Sequence, residues 1–255
     1  LGRYGRINVE GLSGDLFDDF TLRRVTVTDR DGIWLEAREV RVDWSYLPLV
    51  MRRFHADTIE AEVIRVIRRP SLEPDLTPPG RQPLTIDIDN FSTRLELPEG
   101  FSEAYGQWDL QGETLLDRNG GKSATIEAHN VARAADFLRL AFASGPDGEL
   151  MGTTLEARAH ESQGGSLAGA LGYSPDRPFD LDIRINSQAF DALLTSGDDQ
   201  PVQARGRFDE TGGQGGGFIR FTGSSLLEPL IARFGPQLQF GIGVRPVQGR
   251  EGEYG

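Results

Sequence analysis

Three histidines and four carboxylate pairs are the residues in this sequence with the widest reach for chemistry. His55, His129 and His160 stand far apart, and none has a second histidine at a metal-binding interval such as His-x-x-x-His. Each reads as a surface or sheet-edge residue. A joint metal or base role is open only if the fold brings two of them together. The carboxylates pair as Asp18/Asp19, Asp87/Asp89, Asp180/Asp182 and Asp198/Asp199. Two carboxylates about 5–9.5 Å apart across a cleft serve glycoside hydrolysis. Residues two apart on a strand meet that distance automatically, so the spacing says little, and the polar face of an amphipathic strand is the plainer account. The glycine run 212–217 has no Asp at a calcium position and no Lys-Ser/Thr after it; it reads as a mobile turn, not a calcium or phosphate cradle. There is no Gly-x-Ser-x-Gly elbow, and no cysteine for a disulfide or thiolate metal site. The expectation is a protein with no catalytic residues, no metal and no cofactor, and not an enzyme.

The stronger signal lies in the elements that would position such groups. Between Leu22 and Arg69, apolar residues fall on alternate positions: Val25/Val27, Ile33/Leu35, Val40/Val42/Trp44, Ile59 and Val63. Period two means strands with one apolar and one polar face, the latter carried by Arg24, Thr26, Glu36, Arg38, Arg41 and Asp43. Asp31-Gly32 marks a hairpin turn. Residues 45–53 break the alternation and read as a helical turn or a plug at an end of the sheet. Six prolines punctuate the region that follows (Pro70, Pro74, Pro78, Pro79, Pro83 and Pro98), so 70–83 reads as a linker or loop. Alternation returns at Ile86/Ile88 and Leu95/Leu97 and recurs in short segments to residue 244, including Leu181/Ile183 and a strand at 166–171. Residues 132–142, 187–194 and 226–234 read as short helices. The parts are then a β unit over 1–69, the linker 70–83 and a repetitive β region over 84–255.

Charge is divided along the chain. Residues 1–70 hold 12 Arg and 12 Asp+Glu, so the whole net charge of −12 belongs to residues 71–255. An acidic surface repels phosphate backbones, which argues against nucleic acid as a partner.

Residues 11–69 resemble the amino-terminal region of the TamB family, within the AsmA-like group of bacterial envelope proteins. The likeness rests on Gly11-x-x-Gly14, an alternating strand, Asp29-x-Asp31-Gly32, a second strand with Val40-x-Val42-x-Trp44, a Pro/Leu turn at 47–49 and a strand closing on Arg68-Arg69-Pro70. Arg52-Arg53 departs from it, where the family pattern would place a small residue. Beyond residue 84 the likeness is one of texture.

The resemblance implies a mainly β fold, an elongated meandering sheet curled into an open hydrophobic trough with a few short helices. It implies a periplasmic segment of a protein anchored in the inner membrane by a preceding segment. A later domain would meet TamA, an outer-membrane barrel protein. Phospholipid acyl chains would move along the trough, in support of outer-membrane biogenesis and protein assembly. The trough wall would be Leu22, Val25, Val27, Ile33, Leu35, Val40, Val42, Ile59, Val63, Ile86, Ile88, Leu95, Leu97, Leu181 and Ile183. Two alternatives stand beside this: a closed β-sandwich or solenoid acting as a scaffold or binding module, and a carbohydrate-active β-solenoid enzyme with Trp34, Trp44 or Trp108 in its groove.

Overall fold

The structure, a computed structural model, describes residues 5–71, 83–145, 152–209, 212–221, 224, 226, 231 and 235–244. Fourteen strands form one open sheet in strict chain order. The first four are β1 (Arg6–Gly14), β2 (Asp19–Asp29), β3 (Gly32–Ser45) and β4 (Arg53–Val66). Beyond the proline-rich crossover come β5 (Thr85–Leu97), β6 (Gly106–Leu116), β7 (Lys122–Asn130), β8 (Phe137–Ser144) and β9 (Thr154–Glu161). The last five are β10 (Phe179–Ile185), β11 (Ala189–Ser196), β12 (Asp199–Asp209), β13 (Gly212–Arg220) and β14 (Gln237–Val244).

Every pair is antiparallel except β4–β5, which is parallel. A parallel pair cannot be closed by a hairpin, and the proline-rich segment supplies the longer return. Residues 72–82 of it lie outside the described residues. At about 4.8 Å per strand the sheet runs on the order of 60 Å along its hydrogen bonds. The chain exposes 16035 Å², against about 11,000 Å² for a compact monomer of its mass.

An irregularity crosses the first four strands and keeps the apolar residues on one side. Pairing skips Gly11 against Arg23, Arg23 against Glu39, and Glu39 against Glu62. Gly11 and Glu39 take φ of 70° and 47°, the left-handed region. One extra residue per strand shifts the parity of everything beyond it. Leu22 and Val40 therefore share a side with Val25 and Ala37, although their numbers differ by an odd count.

Three short helical pieces whose bounds lie within the described residues finish strand ends. A 3₁₀ turn, Leu47–Met51, joins β3 to β4, as the break in alternation suggests. Helices α1 (Glu99–Ser102) and α2 (Ser166–Ala170) sit together at the opposite strand ends. They meet at Gly169, where a Cβ would fall 1.4 Å from the Ser102 carbonyl oxygen. Around them Leu97, Trp108, Ala128, Ala159, Tyr173, Phe179 and Leu194 form the buried core.

Four local expectations fail here. Residues 132–142 and 187–194 are not helical; they hold strands β8 and β11. Residues 166–171 are not a strand but contain α2. The glycine run 212–217 is not a turn; it is the body of β13, paired on both sides. The helix expected at 226–234 lies almost wholly outside the described residues.

Candidate functional site

Cross-strand partners share a face of the sheet, so the register identifies each side. One row passes through all fourteen strands: Leu12, Leu22, Val40, Ala61, Thr93, Leu110, Ala128, Leu138, Ala159, Leu181, Leu194, Val202, Ile219 and Leu238. Thr93 is its one polar member. The neighbouring row on the other side reads Glu10, Arg24, Arg38, Val63, Arg94, Asp109, His129, Phe137, His160, Asp180 and Thr195.

Thirteen of the fifteen residues expected on the trough wall fall on the apolar side: Leu22, Val25, Val27, Leu35, Val40, Val42, Ile59, Ile86, Ile88, Leu95, Leu97, Leu181 and Ile183. Two do not. Val63 pairs with Arg38 and Arg94, because the skipped Glu62 reverses its parity. Ile33 pairs with Thr28, after a register shift between Val27 and Thr28. Sequence alternation missed Phe54, Phe91, Ile126, Leu140, Leu155 and Phe190, which lie on the apolar side by the same register.

Burial along this side is graded by size. Ala37, Ala56, Ala128, Ala157, Ala159 and Ala204 are buried, shaded by larger neighbours. Ile59, Ile88, Leu110, Ile126, Leu140, Leu155, Ile183 and Phe190 are only half-buried. Large side chains are fully enclosed chiefly near α1 and α2, where Trp108 and Phe179 are 3% and 0% exposed.

The polar side is laced with ion pairs. Arg24 donates to Glu36 at 2.8 Å, Arg65 to Glu96 at 2.7 Å, Arg94 to Asp109 at 3.1 Å and Arg205 to Asp191 at 2.9 Å. The hydrogen bonds from Arg24 and Arg38 hold the Glu36 carboxyl below its ordinary range. An open hollow of about 530 Å³ on this side is bordered by Arg94, Asp109, Glu127 and His129.

The histidines resolve differently from one another. His129 and His160 share the polar row but are two strands apart with Phe137 between them, about 10 Å. That is too far for a common ligand. His160 Nδ1 lies 2.7 Å from Asp180 Oδ1. His55 stands among three carboxylates, with Nδ1 3.2 Å from Asp87 and 3.9 Å from Asp89, and Nε2 3.5 Å from Asp57. The donor atoms of His55, Asp87 and Asp89 converge closely enough to hold one cation. Arg53 already donates to Asp87, so a cation would have to share that carboxylate with a guanidinium. The set fits an ion-pair cluster better than a metal centre.

No helix among the described residues is long and apolar enough to cross a membrane. No family model matches the chain, and no curated protein or solved structure is significantly similar to it.

Proposed function

We propose that this protein carries phospholipid acyl chains along the apolar side of its sheet, as a non-enzymatic segment of a TamB-like envelope protein. The supporting observation is the row from Leu12 to Leu238, apolar at every strand but one. On this reading the sheet curls about that side into an open trough. Moving one phospholipid through water exposes two chains of roughly sixteen carbons, on the order of 25 kcal/mol at 0.8 kcal/mol per CH₂. A continuous apolar side removes most of that cost. Each step exchanges one apolar contact for another, so barriers stay small and no covalent step is needed.

The half-buried Ile126, Leu140 and Ile183 supply the surface. The headgroup rides in water. The sequence resemblance at residues 11–69 supports a periplasmic setting. On the same reading, an anchor in the inner membrane and a TamA-like barrel partner belong to other parts of the protein.

The test uses adjacent residues on opposite sides. Photo-crosslinkers replace Ile126 and Leu140, which are cross-strand partners, and separately Glu127 and Arg139, also partners. Lipid adducts are expected at the first pair and not at the second, with phospholipid in organic extracts of the purified protein by mass spectrometry. Adducts at neither pair, together with lipid-free extracts, would make the protein a scaffold or binding module that carries no lipid.

A further inference from the structure

We infer that β1 is a docking edge for a second copy of this chain, the two β1 strands pairing antiparallel about a two-fold axis at Asn8. β1 ends the sheet: among the described residues only β2 pairs with it. The outward N–H and C=O groups of such a strand are a template for another strand. All nine of its residues are exposed. Ile7, Val9 and Leu12 are 53%, 50% and 54% exposed, whereas their partners Val27, Val25 and Leu22, with a strand on either side, are half-buried. β1 carries neither the proline nor the lysine with which proteins commonly blunt an open edge.

Two separate observations give the pairing the same centre. The first is backbone geometry. Gly5 and Gly11 take φ of 104° and 70°, so regular strand runs uninterrupted only from Arg6 to Glu10, with Asn8 in its middle. The second is charge. Arg6, Asn8 and Glu10 share the polar side, opposite Thr28, Thr26 and Arg24, while Ile7 and Val9 share the apolar side, opposite Val27 and Val25. About Asn8, Arg6 of each copy faces Glu10 of the other, and Ile7 faces Val9. Asn8 faces Asn8, and a side-chain amide both donates and accepts. Centring on Arg6 sets arginine against arginine, and centring on Glu10 sets carboxylate against carboxylate, both unfavourable. Centring on Ile7 or Val9 takes Arg6 and Glu10 out of register with each other.

A strand complementary to itself selects another copy of this chain over an unrelated partner. The opposite edge offers no such code: Gln237–Val244 holds no charged residue and two glycines. Five residues is an ordinary strand length, but so small an interface makes a reversible dimer. The axis stands normal to the sheet, so the apolar sides of the two copies join on one side. The pairing holds whether or not that side takes acyl chains.

The chain has no cysteine, so single thiols report the register. Under mild oxidation Asn8→Cys links into a dimer, because opposed residues lie about 4.5–5.5 Å apart, within disulfide reach. Arg6→Cys and Glu10→Cys each stay unlinked alone, their like positions about 13 Å apart across the pair, and link to each other when mixed. In sedimentation of the cysteine-free chain, Glu10→Lys weakens the dimer roughly tenfold. Adding Arg6→Glu to Glu10→Lys restores it. Circular dichroism stays unchanged throughout, since no residue of β1 is buried. A chain that sediments as a monomer up to millimolar concentration overturns the proposal. So does equal linking by Arg6→Cys alone, Glu10→Cys alone and their mixture, which is collision without register. A dimer indifferent to Glu10→Lys also overturns it and puts the contact elsewhere. None of these readings depends on lipid, so failure here leaves the carrier proposal to its own test.

Discussion

The two ends of the strands are finished by short helices in opposite ways. At one end α1 and α2 fold over the sheet, and buried polar groups there are hydrogen-bonded. Trp108 donates its indole N–H to Ser166 Oγ at 2.9 Å. The Glu161 carboxylate takes the Leu167 and Ala168 N–H groups, each at 2.7 Å. Asp136, fully buried, accepts from Ser162 N–H at 2.9 Å and from its hydroxyl at 2.6 Å. At the other end the 3₁₀ turn keeps its backbone ordered and leaves its side chains in water. The same kind of element closes the molecule in one place and presents a surface in the other. The difference lies in what the chain puts beneath it: buried polar caps and glycines under α2, while no residue of Leu47–Met51 is itself buried.

The contrast is broken most forcefully at Phe179, which is 0% exposed and packs against Tyr173 at 5.8 Å. Phe179→Ala should cost about 3–5 kcal/mol in denaturant unfolding. Val50→Ala, an equally apolar site, should stay within about 0.5 kcal/mol. Equal losses would mean that the 3₁₀ turn is packed as tightly as the core.

A smaller effect separates two carboxylates by the sign of their pH dependence. Burial pushes the Glu161 carboxyl above its ordinary value of 4.5, against the two N–H bonds that pull it down. The native state then keeps that proton to higher pH than the unfolded chain, so stability falls as pH rises through the range just above 4.5. Glu161→Gln should flatten that fall. Asp29 runs the other way. Hydrogen bonds from Arg68, and from the Ser71 and Asp31 N–H groups, hold its carboxyl well below the usual range. Its contribution is full above 3.8 and is lost as pH falls toward the lowered value. Asp29→Asn should therefore weaken the protein at neutral pH and narrow the gap at acid pH. Urea midpoints from pH 3 to 8 check both.

How much of this was legible in the sequence depended on whether a signal was local. Alternation marked β2, β3 and β4 because their apolar residues repeat every second position. It misplaced Val63 and Ile33, since counting by twos cannot see a skipped residue such as Glu62 or a shift beside Thr28. Strand β8 looked helical because Phe137, on the polar side between His129 and His160, adjoins Leu138 and Leu140 on the apolar side. Apolar residues on both sides of a strand imitate a helical spacing. The glycines of β13 looked like a loop because what requires them lies elsewhere: a Cβ at Gly206 or Gly215 would fall 2.2 or 2.6 Å from the Phe190 ring, which lies across both. Helix α2 depends on Glu161, six residues before Leu167, and no local propensity announces that cap. The loop end at 45–53 was placed correctly as a helical turn, but its exposure is visible only in three dimensions.

The gentlest way to sharpen the comparison is Arg69, which ties the exit of β4 to the closed end. Its guanidinium donates to the Ala170 carbonyl at 2.8 Å and the Gly169 carbonyl at 3.1 Å, and lies 5.0 Å over the Phe101 ring. One planar fork thus satisfies the last carbonyls of α2 and covers α1, from a residue 100 positions away from Gly169. Lysine keeps the charge but has neither the fork nor the flat face for stacking. Arg69→Lys should therefore cost about 1 kcal/mol, close to the cost of Arg69→Ala, since it is the geometry that is lost. Arg52→Lys, at the 3₁₀ turn, should change stability by less than about 0.5 kcal/mol. If lysine at 69 restored full stability, charge alone would be holding the closed end, and the difference between the two ends would lie in electrostatics instead of in fitted packing.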